Sequence, residues 1–122
     1  MREILFRGKR TTDGEWCEGN LFIDEKGEKH EILLGYTNYR IAWEVIPSTI
    51  GQYTGLTDKN GKKIFEGDIL YDEHNESNCL ITFDEGSFCI LDDNVSQSAW
   101  GCSMNGFEVI GNLHDNPELL RS

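Results

Sequence analysis

At 122 residues, with 38% apolar side chains, six Phe, four Tyr and three Trp, the chain can fill one packed interior, and disorder is excluded. Twenty-two acidic against eleven basic residues give a formal charge of −11, which argues against holding nucleic acid by its phosphates and disfavours an anionic membrane. No apolar run approaches the ~18 residues of a membrane helix, and Met1-Arg2-Glu3-Ile4 lacks the apolar run of a secretory leader. A soluble cytoplasmic domain is expected.

The dominant sequence period is two, the period of strands. Residues 2–7 read as an opening strand with Ile4 and Phe6 on one face. Trp16-Cys17-Glu18-Gly19-Asn20 is echoed 48 positions on by Ile64-Phe65-Glu66-Gly67-Asp68, each read as a turn into a strand. The echo predicts two similar β units in one body. Asp24-Glu25-Lys26-Gly27 and Asp58-Lys59-Asn60-Gly61 each place Asp first and Gly fourth. The carboxylate can accept following amides and the glycine can take positive φ, so both predict tight hairpins. The first returns residues 21–23 onto 32–34; the second returns 53–56 onto Ile64 and Phe65. Tyr39, Ile41, Trp43 and Val45 alternate against Arg40, Ala42, Glu44 and Ile46 as the clearest strand of the first half. Gly51, Gly55, Gly61 and Gly67 punctuate strand-like pieces at the wrong spacing for a phosphate loop.

Residues 72–78 are polar and acidic and read as a surface loop. Beyond them, a two-residue turn at Glu85-Gly86 pairs Phe83 with Phe88 and Ile81 with Ile90. Cys79 then shares a face with Ile81 and Phe83, while Cys89 lies on the other, so the two share neither disulfide nor metal. A three-residue turn would reverse that parity. Cys17, Cys79, Cys89 and Cys102 form no Cys-x-x-Cys and no short spacing with His30, His74 or His114. Free, mostly buried thiols are expected. Asn94-Val95-Ser96-Gln97 fits a helix N-cap, predicting one or two helical turns over 95–100. Phe107, Val109, Gly111 and Leu113 restore the strand period. Asn116-Pro117-Glu118 then opens a short helix whose Leu119 and Leu120 must dock on a sheet.

Charge is uneven along the chain. Residues 1–63 carry ten basic and ten acidic side chains, whereas 64–120 carry twelve carboxylates and no Lys or Arg. Those carboxylates must lean on Arg2, Arg7, Lys9, Arg10, solvent, cations or a partner. Glu66 and Asp68 stand two apart and would share a face if extended, but Gly67 between them favours a turn held by Asp68 over an acid–base pair. Trp16, Trp43 and Trp100 read as core or half-buried, with Trp100 the candidate interface anchor. No catalytic, cofactor-binding or metal residues are assigned.

The segment Gly51-Gln52-Tyr53-Thr54-Gly55-Leu56-Thr57-Asp58-Lys59-Asn60-Gly61-Lys62-Lys63-Ile64-Phe65-Glu66-Gly67-Asp68-Ile69-Leu70 closely resembles the YopX family of bacteriophage, prophage and mobile-element proteins. The opening Met1-Arg2-Glu3-Ile4-Leu5-Phe6-Arg7 and the ending from Phe107 to Leu120 resemble its terminal signatures. The resemblance implies a β-rich fold, part of it like a small SH3-like barrel, with assembled forms and no established activity. The combined expectation is mainly β: compact antiparallel sheets, a small SH3-like barrel portion and one or two very short helices. A single domain over 1–122 is expected, built from two β subdomains at about 1–50 and 51–122. The expected role is non-enzymatic protein contact or self-assembly in a bacterial host cytoplasm. The partners would be copies of itself or a basic host or phage protein, with no cofactor, no membrane and no direct nucleic-acid binding. Alternatives are an acidic DNA mimic or nucleic-acid-related accessory protein, and an enzyme whose site is assembled from distant residues.

Overall fold

A computed structural model describes residues 3–34, 41–93, 95–99 and 103–120. The chain divides into two compact units, residues 1–53 and 54–122. Eleven strands are present among the described residues: β1 (Phe6–Lys9), β2 (Trp16–Ile23), β3 (His30–Leu34), β4 (Ile41–Glu44), β5 (Gly51–Thr57), β6 (Lys63–Phe65), β7 (Asp68–Asp72), β8 (Ser77–Asp84), β9 (Ser87–Asp92), β10 (Val95–Ser98) and β11 (Phe107–Asn112). Pro47–Thr49 and Pro117–Leu120 are single 3-10 turns. One sheet runs β4-β3-β2-β1-β5-β6 and the other β10-β9-β8-β7-β11, with the registered pairs antiparallel.

In the first unit, β2 divides its partners. Its first half pairs with β1, Lys9 opposite Trp16 through Phe6 opposite Gly19, and its second half pairs with β3, Asn20 opposite Leu33 through Ile23 opposite His30. The change of partner falls at Gly19, where an added Cβ would overlap the Leu33 carbonyl oxygen. The Asp24 turn forms as expected. Gly27 adopts φ +70 and donates its N–H to Asp24 O, while Asp24 Oδ1 accepts the N–H groups of Glu28 (2.8 Å) and Lys29 (3.1 Å). Cys17, Ile32 and Val45 form the core, with Phe6, Leu21, Trp43 and Ile50 packed against it.

The second unit is a meander, β7 to β10, with β11 returning to the free edge of β7. Its core gathers Ile64, Leu70, Cys79, Ile81, Ile90 and Met104. The Glu85-Gly86 turn has the expected length, with Phe83 opposite Phe88 and Ile81 opposite Ile90. Both turn residues have positive φ, +50 and +82, the twist that a two-residue hairpin needs. Asp58, only 6% exposed, accepts from Asn60 and Lys62 N–H on Oδ1 and from Val109 N–H on Oδ2, each at 2.9 Å. Its turn is thereby fastened to β11. The C-terminal segment forms a 3-10 turn held by Asn78 Nδ2 donating to Leu119 O at 2.8 Å, but Leu120 stays 37% exposed rather than docking on the sheet.

Several expectations are corrected. No SH3-like barrel forms, because neither sheet closes. β1 and β4 approach through one isolated bridge, Arg10 to Val45, flanked by Thr11 N–H to Glu44 O and Ile46 N–H to Lys9 O. β5 takes the rest of that edge of β1 at Phe6 and Arg7, so no ladder remains for closure. The helical turns expected over 95–100 are replaced by β10 at Val95–Ser98, a strand on the edge of β9. Asn94, Trp100 and Cys102 lie outside the described residues, as do Arg2, Tyr39 and Arg40. The opening strand starts only at Phe6, leaving Ile4 66% exposed. The echo does not extend to structure, since Glu18-Gly19 continues a strand while Glu66-Gly67 makes a turn. The loop at 72–78 shrinks to four residues, because Asp72 ends β7 and Ser77 begins β8.

Two substitutions test this account. Burial alone would raise the Asp58 pKa, but the N–H donors of Val109, Lys62 and Asn60, with the Lys62 charge, hold it below the usual value. A depressed pKa in the folded state adds stability above the unfolded value, near ~3.9, and the gain is lost as pH falls through the folded one. Asp58→Asn should therefore cost about 2 kcal/mol at pH 7, with the gap from wild type narrowing below about pH 4 in urea unfolding. Glu85→Asn should stabilise by about 1 kcal/mol in the same assay, because asparagine tolerates the left-handed backbone that glutamate adopts there.

Candidate functional site

The residues that could carry chemistry hold turns or lie apart. Asp68 is 1% exposed and accepts Phe65 N–H at 2.8 Å, while Gly67 turns at φ +92. Glu66 is half-buried beside it. His74 and His114 are both exposed but lie beyond opposite ends of β7: His74 follows Asp72, whereas His114 follows Asn112, the partner of Asp68. His30 opens β3 in the other unit. Among the described residues, no group of three or more His, Cys, Asp or Glu could hold a metal ion.

Cys17, Cys79 and Cys89 are free and buried. Thr82, next to Ile81, is the partner of Cys89, so Cys79 and Cys89 occupy opposite faces as their parity requires. Burial, reinforced by the charges of Asp72 and Asp92, pushes the Cys79 thiol up to about 12. It donates instead to Leu70 O at 3.5 Å. A thiol held that high is a packing group rather than a nucleophile.

Arg7, Lys9 and Arg10 lie on aromatics and acids of the first unit itself. Arg7 and Lys9, on one face of β1, sit over the Trp16 ring at 4.8 and 5.5 Å. Arg10 lies 4.2 Å from the Trp43 ring centroid and pairs with Asp13 through both carboxylate oxygens. In the second unit, Lys59 bonds Glu73 and lies 3.6 Å from Glu108. The Glu73 bond holds the Lys59 pKa above its usual range. Sequence reasoning missed Lys59, since only the fold brings the Asp58 turn beside β11. Most exposed carboxylates of this unit lie at two ends of its sheet, with Asp115 and Glu118 in the segment after β11. Glu73, Glu76 and Asp93 gather by the β7–β8 and β9–β10 turns, with Asp84 and Glu85 at the other end.

Sheet edges separate one strand from the rest. β4 is met at its end by Thr11 N–H on Glu44 O and by the Arg10–Val45 bridge. β6 gives its Phe65 N–H to Asp68. The outer side of β11 is covered by the Asp58 turn, through Lys59 N–H to Phe107 O and Val109 N–H to Asp58 Oδ2. β10 ends its sheet with all four residues exposed, Val95 at 68%. Its sequence, Val-Ser-Gln-Ser, carries no charge and no proline. The β-branched Val95 was the available strand signal, masked by the cap-like Asn94.

Among the described residues no helix is long and apolar enough to cross a membrane. No curated protein matches the chain. The crystal structure of protein EF1440 from Enterococcus faecalis is similar at a TM-score of 0.65 and 26% sequence identity, over 99% of this chain and 100% of that one. The family described as YopX protein matches residues 5–121. The chain belongs to the YopX family.

Proposed function

We propose that this phage-associated protein works by protein contact rather than catalysis, and that the contact is strand addition at β10 between two copies of the chain. The exposure of all four β10 residues at the end of their sheet carries this reading. An added strand would pair with backbone groups on the outer edge of β10, the Ser96 N–H among them. Charge favours a second copy at this place. Antiparallel pairing of two Val-Ser-Gln-Ser segments sets no carboxylate opposite another, whereas both turn-bearing ends of the sheet would bring acids together. The four-residue length keeps the pairing modest, so flanking apolar contact must add to it. A DNA-mimicking role has less support, because the exposed carboxylates are spread over both ends of the sheet and the segment after β11 rather than forming one row.

Ala99 N–H bonds Phe88 O, so by strand alternation the Ser96 N–H faces away from β9. Ser96→Pro should then spare the ladder inside the sheet while closing the edge to an added strand. Light scattering at tens of micromolar protein should give a dimer mass for the wild type and a monomer mass for Ser96→Pro, with unchanged melting. A wild-type monomer, or a dimer indifferent to Ser96→Pro, would refute the interface. Turnover of nucleotides, nucleic acids or esters that a point substitution abolishes would refute the non-enzymatic reading.

A further inference from the structure

The chain contains two Asn-Gly pairs, Asn60-Gly61 and Asn105-Gly106, and the fold treats them differently. In the first, Gly61 N–H donates to Asp58 O at 3.0 Å and Asn60 N–H to Asp58 Oδ1 at 2.9 Å. Gly61 is fixed at φ +81. A nitrogen held on an acceptor inside a tight turn is kept from swinging onto the side chain before it. Asn105 is exposed, in the turn that leads into β11, and that turn is closed by Phe107 N–H to Met104 O at 3.1 Å. The closing bond bypasses Gly106. Among the described residues the Gly106 N–H has no acceptor, and Asn105 bonds only through its own N–H, to Ser103 Oγ at 3.4 Å. A Cβ at Gly106 would meet nothing within 4 Å, and no positive φ demands glycine there.

We propose that Asn105 is a site of spontaneous deamidation. The Gly106 nitrogen gives its proton to solvent base and attacks Asn105 Cγ. A carbon–nitrogen bond forms, the side-chain nitrogen leaves as ammonia, and a five-membered succinimide closes. Water then adds to either imide carbonyl and opens the ring, giving aspartate or isoaspartate. One water is consumed, one ammonia is released, nothing is oxidised or reduced, and the chain gains one negative charge. Isoaspartate also lengthens the main chain by one carbon between the buried Met104 and β11. The bond from Glu73 N–H to Gly106 O, 2.9 Å, lies within reach of that change.

The test is peptide mapping by mass spectrometry of the intact folded chain, incubated at 37 °C in mildly alkaline buffer. The peptide bearing Asn105 should convert severalfold faster than the one bearing Asn60, to a mixture of aspartate and isoaspartate. In denaturant the two rates should draw together, because both pairs are then unrestrained. Gly106→Ala, which fits the open space, should keep the circular dichroism and melting of the wild type while slowing conversion at Asn105 severalfold. Equal native rates at Asn60 and Asn105, or a Gly106→Ala chain converting as fast as wild type, would overturn the proposal.

Discussion

The second unit depends on how the two oxygens of Asp58 are shared. Oδ1 stays within its own turn, on the amides of Asn60 and Lys62, while Oδ2 reaches Val109, 51 residues further along the chain. The turn that joins β5 to β6 is thereby the clasp that holds β11 from its outer side, while β7 pairs with its inner side. A carboxylate so little exposed is tolerable because several backbone donors converge on it, hydrogen bonds to a charged acceptor being worth about 1.5–3 kcal/mol each. Lys59 follows from the same placement. Once its neighbour is anchored on β11, its ammonium comes to Glu73 and Glu108, which their own half of the sequence cannot neutralise.

The ends of the two sheets are guarded by different local means. β11 is covered by a turn, β6 is capped by the carboxylate that opens β7, and β4 is met by one bridge from the chain after β1. Each uses a contact the chain needs for another purpose, so edge protection and tertiary closure coincide. The proposed contact is placed at β10, an end strand whose four residues are all exposed.

Where the sequence carried local chemistry, the fold was legible. Glu85-Gly86 set the hairpin length and therefore the opposite faces of Cys79 and Cys89. Asp24, Asp58 and Asp68 each announced a turn held by their own carboxylate, and each does so. Non-local features were not legible. The barrel expected from the family failed on which strand takes the second edge of β1, a choice between β4 and β5 that no local pattern encodes. Asn94-Val95-Ser96-Gln97 suits a helix start as well as a strand, and the waiting edge of β9 decides the matter. The alternation of Phe107, Val109 and Gly111 hides an irregularity, since the register with β7 shifts between Val109 and Gly111. The candidate interface shared this fate, because an edge strand is defined by its neighbours.

The change of partner at Gly19 also governs alignment. β2 pairs with β1 up to Gly19 and with β3 from Asn20 on. A strand whose side chains alternate can slip only if every residue changes face. Here a slip of one position would carry Glu18 or Asn20 to the point where the Leu33 carbonyl leaves no space for a Cβ. One glycine thus sets the registry of two ladders at once, and the pairing of either neighbour is fixed by the position of the other.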